Sequence, residues 1–200
     1  MSGTLPTTPK PDSVKLTSYQ PTLVSVAHSL KRQARTRGAQ RWAAVLTYEN
    51  WRRAEFAPLW AFLVAQRGQF EAFQAVLPGH DTPQGTATGT PLAFGAAAAG
   101  STAIPTDGWT INITGILKAG DFIKFSGHTK VYMVVADANS NGSGQATLSI
   151  MPKLVAAVAD NEALTVTSVP FTWQLAGDQV EQSLRAPVWV STEISLMEAY

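Results

Sequence analysis

Few residues in this sequence have the types and spacing that a shared chemical centre needs. The three histidines fall on a predicted strand (His28), in a linker (His80) and in a turn (His128), and none has a partner at metal-ligand spacing. There is no cysteine, no glycine-rich phosphate loop and no nucleophile motif, and the acidic residues are scattered. We therefore expect no catalytic residues, no cofactor, no metal site and no enzymatic activity.

One short stretch could ligate calcium. Asp137, Asn139 and Asn141 place oxygen atoms at alternate positions before Gly142, as in the first half of a calcium loop. The position that should carry a bidentate glutamate is Leu148, and no helices are predicted to flank the loop. A hairpin loop with left-handed Asn and Gly residues explains the same letters, and the sequence leaves the choice open.

Charge is distributed unevenly along a chain whose net charge is +1. Residues 1–68 hold ten Lys or Arg and three acids, whereas residues 69–200 hold five and eleven. This split suits head-to-tail assembly, in which the basic face of one subunit meets the acidic face of the next, and it also suits contact with nucleic acid. A third interpretation is a solvated basic turn. The basic side chains of interest cluster in one stretch: Lys31, Arg32, Arg35, Arg37 and Arg41.

The six tryptophans allow two interpretations. They could form a stacking platform for single-stranded nucleic acid, or they could belong to the core and to subunit interfaces. Their wide spacing and their places on alternating strand faces favour the second. They are Trp42, Trp51, Trp60, Trp109, Trp173 and Trp189.

The elements that would position the basic cluster form a predicted hairpin. Residues 1–21 are rich in Pro, Thr and Ser without periodicity, which indicates a flexible N-terminal arm. Residues 22–30 and 40–48 alternate as strands do, and residues 31–38 read as a basic turn that ends at Gly38. The basic side chains are then expected at a charged tip.

A helix is predicted over about residues 54–67. Phe56, Trp60 and Leu63 recur at helical spacing and should form its core face. Pro58 fits only near the first turn, and Gly68 suits a left-handed C-cap. The period then changes to that of a strand over residues 70–77.

The remaining chain predicts a discontinuous architecture. Residues 81–107 read as a linker, and residues 108–167 read as a run of short strands that would close into a small β-barrel. Residues 168–200 are strand-like again and return to the first sheet. The fold class is therefore mainly β (α+β): a β-sandwich hub domain of residues 22–80 and 168–200 with one flanking helix, and an inserted barrel.

The sequence also bounds the compartment. No apolar run approaches the ~20 residues that a membrane helix needs, and the first residues lack the pattern of a secretory signal. We expect a protein made in a cytoplasm, with no membrane partner.

Three stretches resemble a known family. The helix running into Ala61-Phe-Leu-Val-Ala-Gln-Arg-Gly-Gln-Phe-Glu-Ala-Phe resembles a segment of tail-tip proteins of long-tailed bacteriophages. Leu117-Lys-Ala-Gly-Asp-Phe-Ile, Tyr132-Met-Val-Val-Ala-Asp and Gly144-Gln-Ala-Thr-Leu-Ser-Ile-Met-Pro-Lys-Leu are similar to a small barrel that follows it in some members. The closing Ser195-Leu-Met-Glu-Ala-Tyr is similar to their ends. In this order, the stretches resemble the distal tail protein of such phages.

The resemblance implies a structural virion protein with no catalytic motif to carry over. It implies a ring, usually hexameric, between the tail tube protein and a baseplate hub or other tail-tip proteins, with DNA passing through the lumen. The expected location is the tip of the virion tail, after synthesis in the host bacterial cytoplasm. On this interpretation the basic cluster would be an assembly interface. Two other classes remain: a nucleic-acid-binding β-barrel module that uses the basic hairpin of residues 31–41, and a carbohydrate-binding module that uses exposed tryptophans.

Overall fold

The computed structural model describes residues 2–200 and divides them into two compact units. The first unit comprises the chain up to Phe73 together with Trp173–Glu198, and the second comprises Gln74–Thr172 and the last two residues. The predicted mainly β class, with one helix, is confirmed. Met1, the first residue of the predicted arm, lies outside the described residues.

Fourteen strands and one helix follow one another along the described chain. They are β1 (Ser13–Tyr19), β2 (Thr22–Val26), β3 (Arg32–Thr36), β4 (Arg41–Arg52), α1 (Arg53–Ala65), β5 (Phe73–Ala75), β6 (Gly89–Ala93), β7 (Ala103–Trp109), β8 (Phe122–Phe125), β9 (Tyr132–Val134), β10 (Ala146–Met151), β11 (Leu164–Thr165), β12 (Phe171–Leu175), β13 (Ser183–Arg185) and β14 (Trp189–Glu198).

The first unit is built around a sheet with the strand order β1-β4-β14-β12-β5, and β13 pairs with β14. The central strands β4 and β14 run antiparallel, with Leu46 opposite Ile194 and Ala44 opposite Leu196. Alternate residues of β4 are buried, because a strand turns every second side chain to the same face. The buried set is Trp42, Ala44, Leu46 and Tyr48.

Helix α1 packs its apolar side against β4 and β14. The ring of Phe56 meets that of Tyr48 edge to face, with 5.7 Å between centroids. The predicted start near residue 54 agrees with the observed start at Arg53, but Pro58 lies inside the helix, so the expectation that it falls near the first turn is wrong. The helix begins at Arg53, and the turn around Pro58 forgoes one backbone hydrogen bond.

The turn that follows α1 requires a glycine at position 68. Arg67 and Gly68 both adopt left-handed backbone angles, with φ of +57° and +66°. A Cβ atom on Gly68 would lie 2.8 Å from Oδ1 of Asp178, and this carboxylate also accepts a hydrogen bond from the backbone N–H of Gln69. A residue without a side chain is therefore required at this position for two reasons, backbone angle and space.

The predicted flexible arm, residues 1–21, contains a strand. β1 pairs antiparallel with β4 over its whole length, with Lys15 opposite Val45. Leu5 is also buried, and the backbone N–H of Ser2 donates to the carbonyl of Ala72. The local composition of Pro, Thr and Ser did not predict this strand, because the strand depends on a hydrogen-bond partner some thirty residues away in sequence.

The second unit is a nearly closed six-stranded barrel. Its sheet has the order β11-β8-β9-β10-β7-β6, and a bridge between Leu92 and Ala163 joins the two edges. Inward side chains fill the interior, as in other small barrels. The fully buried ones include Ile104, Ile123, Phe125, Tyr132, Val134, Leu148 and Ile150.

Residues 81–107, predicted as a linker, instead supply strands β6 and β7 of the barrel. Ala93 and Ala97 are buried in the barrel core. A Cβ atom on Gly89 would lie 2.2 Å from the carbonyl oxygen of Gly108, so this glycine permits a close approach of two strands. Small residues that suggested a linker are thus packed between neighbouring backbones.

The ends of the barrel segment also meet, because the N–H of Ser168 donates to the carbonyl of Asp81 at 2.6 Å.

Candidate functional site

The most exposed element of the first unit is the hairpin formed by β2 and β3. The two strands pair antiparallel from Thr22 opposite Thr36 to Val26 opposite Arg32, and they form a separate two-stranded sheet. The turn lies at residues 27–31, where the N–H of Ala27 donates to the carbonyl of Lys31. Every residue from position 22 to position 39 is exposed.

The predicted turn of residues 31–38 is wrong in its placement. Most of that stretch is strand β3, and the actual turn comes earlier, where Leu30 adopts a left-handed φ of 63°. Arg32 and Arg35 are three positions apart and therefore fall on opposite faces of the strand, and it is pairing with β2 that makes this stretch a strand. The basic residues therefore run along a strand instead of crowding a tip.

The two faces of the hairpin differ. Val24 and its partner Ala34 lie on one face together with Val26 and its partner Arg32, because cross-strand partners point to the same side of a sheet. Leu23 lies on the other face opposite Arg35, whose aliphatic stem can cover it. Val24 and Val26 keep 51% and 60% of their surface exposed, which is unusual for valine on a strand.

The structure brings four of the five predicted interface residues together on this hairpin. Lys31 ends the turn, Arg32 and Arg35 lie on β3, and Arg37 follows it. All four are exposed, and residues 22–39 contain no Asp or Glu. Arg41 is separate, because it begins β4 in the main sheet, opposite Tyr19.

The predicted helix-core residues occupy different environments. Phe56 and Leu63 are buried, as is Leu59 between them, whereas Trp60 is only half-buried. Phe62 also contributes, since its ring meets that of Phe73 at 5.3 Å.

His128 has a structural environment in the barrel. Its Nε2 lies 3.3 Å from the carbonyl oxygen of Ala157, which can only accept, so this nitrogen carries the hydrogen. Nδ1 then accepts from the Tyr132 hydroxyl at 2.8 Å, and the Tyr132 oxygen accepts the N–H of Val155 at 3.2 Å. Both ring nitrogens are engaged in holding one loop to β9. The other histidines are exposed, His28 in the hairpin turn and His80 with its ring against Phe122.

The oxygens of the possible calcium loop are committed to backbone hydrogen bonds. Asp137 accepts from the N–H of Ala119 at 2.9 Å, and Asn139 accepts from the N–H of Gly115 at 2.7 Å. Asn141 accepts from two N–H groups of its own loop, at positions 143 and 145. The Asn141 contacts are those of an Asx-type hairpin loop, and the other two tie this loop to residues 115–119. Together they favour a hydrogen-bonded loop over a metal site.

The tryptophans do not gather on one surface. Trp42, Trp109 and Trp173 are buried, which agrees with the core interpretation.

Among residues 2–200, no group of three or more acidic or histidine side chains is arranged to hold a metal ion. No helix in the same range is long and apolar enough to cross a membrane.

The fold is thus that of a mainly β protein with a sheet-and-helix unit, a compact barrel unit and an exposed basic hairpin. Residues 81–169 match the family model described as "Distal tail protein pb9, B domain". The match spans the barrel, including the predicted linker of residues 81–107, and it begins and ends beside the Asp81–Ser168 hydrogen bond.

The barrel is therefore similar to that domain, and the resemblance to phage distal tail proteins is confirmed. The match indicates a structural component of a phage tail and a place in the virion tail. No curated protein matches the chain.

Proposed function

We propose that this protein forms a ring at the tail tip that joins the tail tube to a baseplate hub or fibres and leaves a channel for DNA. The barrel match supports a distal tail protein. The observation that carries the ring is the exposed hairpin of the first unit, because it has the properties of a surface made for another chain.

The argument for a partner starts from stability. An isolated two-stranded hairpin is marginal in water, since too little apolar surface is buried to offset the ordering of its backbone. Here Val24 and Val26 are exposed, and the hairpin carries four cations and no acid. Packing against another protein would cover the valines and offset the repulsion between the cations.

Its mechanism would be geometric rather than chemical. The barrel and the sheet would act as fixed bodies, and the hairpin would carry contacts from one copy to the next. Charges at the edge of such an interface set the rate and specificity of association more than its final affinity. The partners would be other copies in a hexameric ring, the tail tube protein above and hub or tail-tip proteins below, after synthesis in the host cytoplasm.

The test is the mass of the purified protein by light scattering over a range of concentration and salt. A defined ring of several copies is expected, together with weaker assembly at high salt, because surface charges are screened. The variant Arg35→Ala/Arg37→Ala should assemble less, whereas Lys10→Ala/Lys15→Ala removes two cations outside the hairpin and should assemble normally. Normal assembly of the hairpin variant would contradict the role of these arginines.

A second candidate is a nucleic-acid-binding module, which the same exposed cations favour. Its signature is an affinity for DNA that falls steeply with salt, because each neutralised phosphate releases counterions. Titration of a monomeric preparation with DNA, with the Arg35→Ala/Arg37→Ala variant alongside, decides between the two. Tight DNA binding by a protein that never associates with itself would favour the second candidate.

A further inference from the structure

We infer that the β2–β3 hairpin of one copy docks into an acidic groove on the first unit of a second copy. This inference rests on the proposed function and names the surface that receives the hairpin. The groove has a volume of about 670 Å³ and lies between the segment that follows β12 and the middle of β14. Both the hairpin and the groove belong to the first unit.

The groove has a mixed lining, with aliphatic side chains among its polar residues. Leu175 and Ile194 are buried beneath it, and Val180 is half-buried at its side. This composition suits the valine face of the hairpin, in which Val24, Val26 and Ala34 are exposed. The exposed aliphatic side chains of the hairpin thus have a concavity in the same unit whose lining includes aliphatic residues.

The rim of the groove carries the complementary charge. Asp178, Glu181 and Glu193 are all exposed, and no Lys or Arg lines the groove. The hairpin offers only positive charge. Opposite charges on two facing surfaces guide them into one register and disfavour other pairings.

The groove lies away from the base of the hairpin in the same copy. The hairpin leaves the sheet at the Tyr19–Arg41 pair, whereas Glu193 lies opposite Thr47 on the same strand β4. Six residues along a strand correspond to about 20 Å. Because the donor and acceptor surfaces are different patches, their contact is heterologous, and contacts of this type close into rings when the rotation allows it.

Charge exchange provides the first test. Arg32→Glu reverses the cation that lies on the valine face of the hairpin, opposite Val26, and Glu181→Arg/Glu193→Arg reverses the rim. Asp178 is left unchanged because it accepts the N–H of Gln69. Each reversal alone should weaken self-association more than tenfold in sedimentation or light scattering, and the combined variant should recover most of it. Lys10→Glu and Glu55→Arg are matched controls at exposed positions outside both surfaces, and circular dichroism checks the fold of every variant.

The absence of cysteine allows a second, direct test. Arg32→Cys combined with Glu193→Cys should give a ladder of disulfide-linked multimers under mild oxidation, whereas Lys10→Cys with Glu193→Cys should give none. A wild-type protein that assembles, but whose reversed variants are not rescued and whose cysteine pair gives no ladder, overturns the docking while the ring stands. A wild-type protein that stays monomeric at every concentration overturns both proposals.

Discussion

Asp121 should hold the barrel together more strongly than its single charge suggests. The residue is buried, and its two carboxylate oxygens accept three backbone hydrogen bonds. Oδ1 accepts from the N–H of Gln84 at 2.7 Å, and Oδ2 accepts from the N–H groups of Lys118 at 2.7 Å and Gly85 at 3.2 Å. The carboxylate thereby connects residues 84 and 85, which precede β6, to the turn before β8.

The substitution Asp121→Asn changes little in shape and much in hydrogen bonding. One carboxylate oxygen becomes an NH₂ group, which faces a backbone N–H whichever way the amide turns. At least one buried donor loses its acceptor, at a cost of about 1–3 kcal/mol, and the remaining bonds lose the strength that charge gives them. We expect a loss of about 3 kcal/mol in the opening free energy of the barrel, which corresponds to more than a hundredfold in the opening equilibrium.

Hydrogen exchange measured on peptides is the suitable assay because the chain has two units. Peptides from β8 and β10 should lose protection in the variant, while peptides from β4 in the other unit serve as an internal reference. Asp160→Asn is the matched control, since this exposed carboxylate also accepts a backbone N–H at 2.7 Å, from Gly95, and should matter by less than ~0.5 kcal/mol. Protection of β8 within threefold of wild type would refute the reasoning.

Two further predictions concern the first unit. Burial, and then the charge of Asp12, raises the pKa of Tyr48 to about 12 from 10.0. The folded state therefore holds the Tyr48 proton more tightly than the unfolded state, so this contribution to stability is complete below pH 10 and is lost as the pH rises through 12. Urea unfolding at several alkaline pH values should show this decline in the free energy of unfolding. The variant Tyr48→Phe should lack the part of the decline that Tyr48 causes. In the helix, Leu63→Ala should lower the free energy of unfolding by about 3 kcal/mol, because Leu63 is fully buried. Trp60→Ala should lower it by less, roughly 1–2 kcal/mol, because Trp60 is half-buried. Equal losses of unfolding free energy in urea would contradict this order.

The sequence predicted those elements whose own residues determine their conformation. The alternation along β4 placed Trp42, Ala44, Leu46 and Tyr48 on one face, and all four are buried. The helix was predicted to within a few residues because Phe56, Leu59 and Leu63 share its apolar side. In both cases a local period matches the face that the fold buries.

The errors fall where a distant partner decides the structure. β1 has weak periodicity of its own and forms because β4 offers it a row of backbone groups. β6 and β7 contain the glycines and alanines of an apparent linker, yet their closeness to each other and to residue 163 makes them barrel strands. A single sequence does not record which backbones approach closely enough to require glycine.

The charge split changes its meaning once the units are known. The first unit holds eleven Lys or Arg against eight acids, and the second holds four against six, so the steep contrast between the two parts of the sequence largely disappears between the units. What persists is local: four cations on the β2–β3 hairpin, and three acids around the groove beside β14. A contrast between units would have paired one unit with the other, whereas two opposite patches on the same unit can join identical copies head to tail. For that reason the arrangement of charge within the first unit, rather than the split along the chain, supports assembly of the protein with itself.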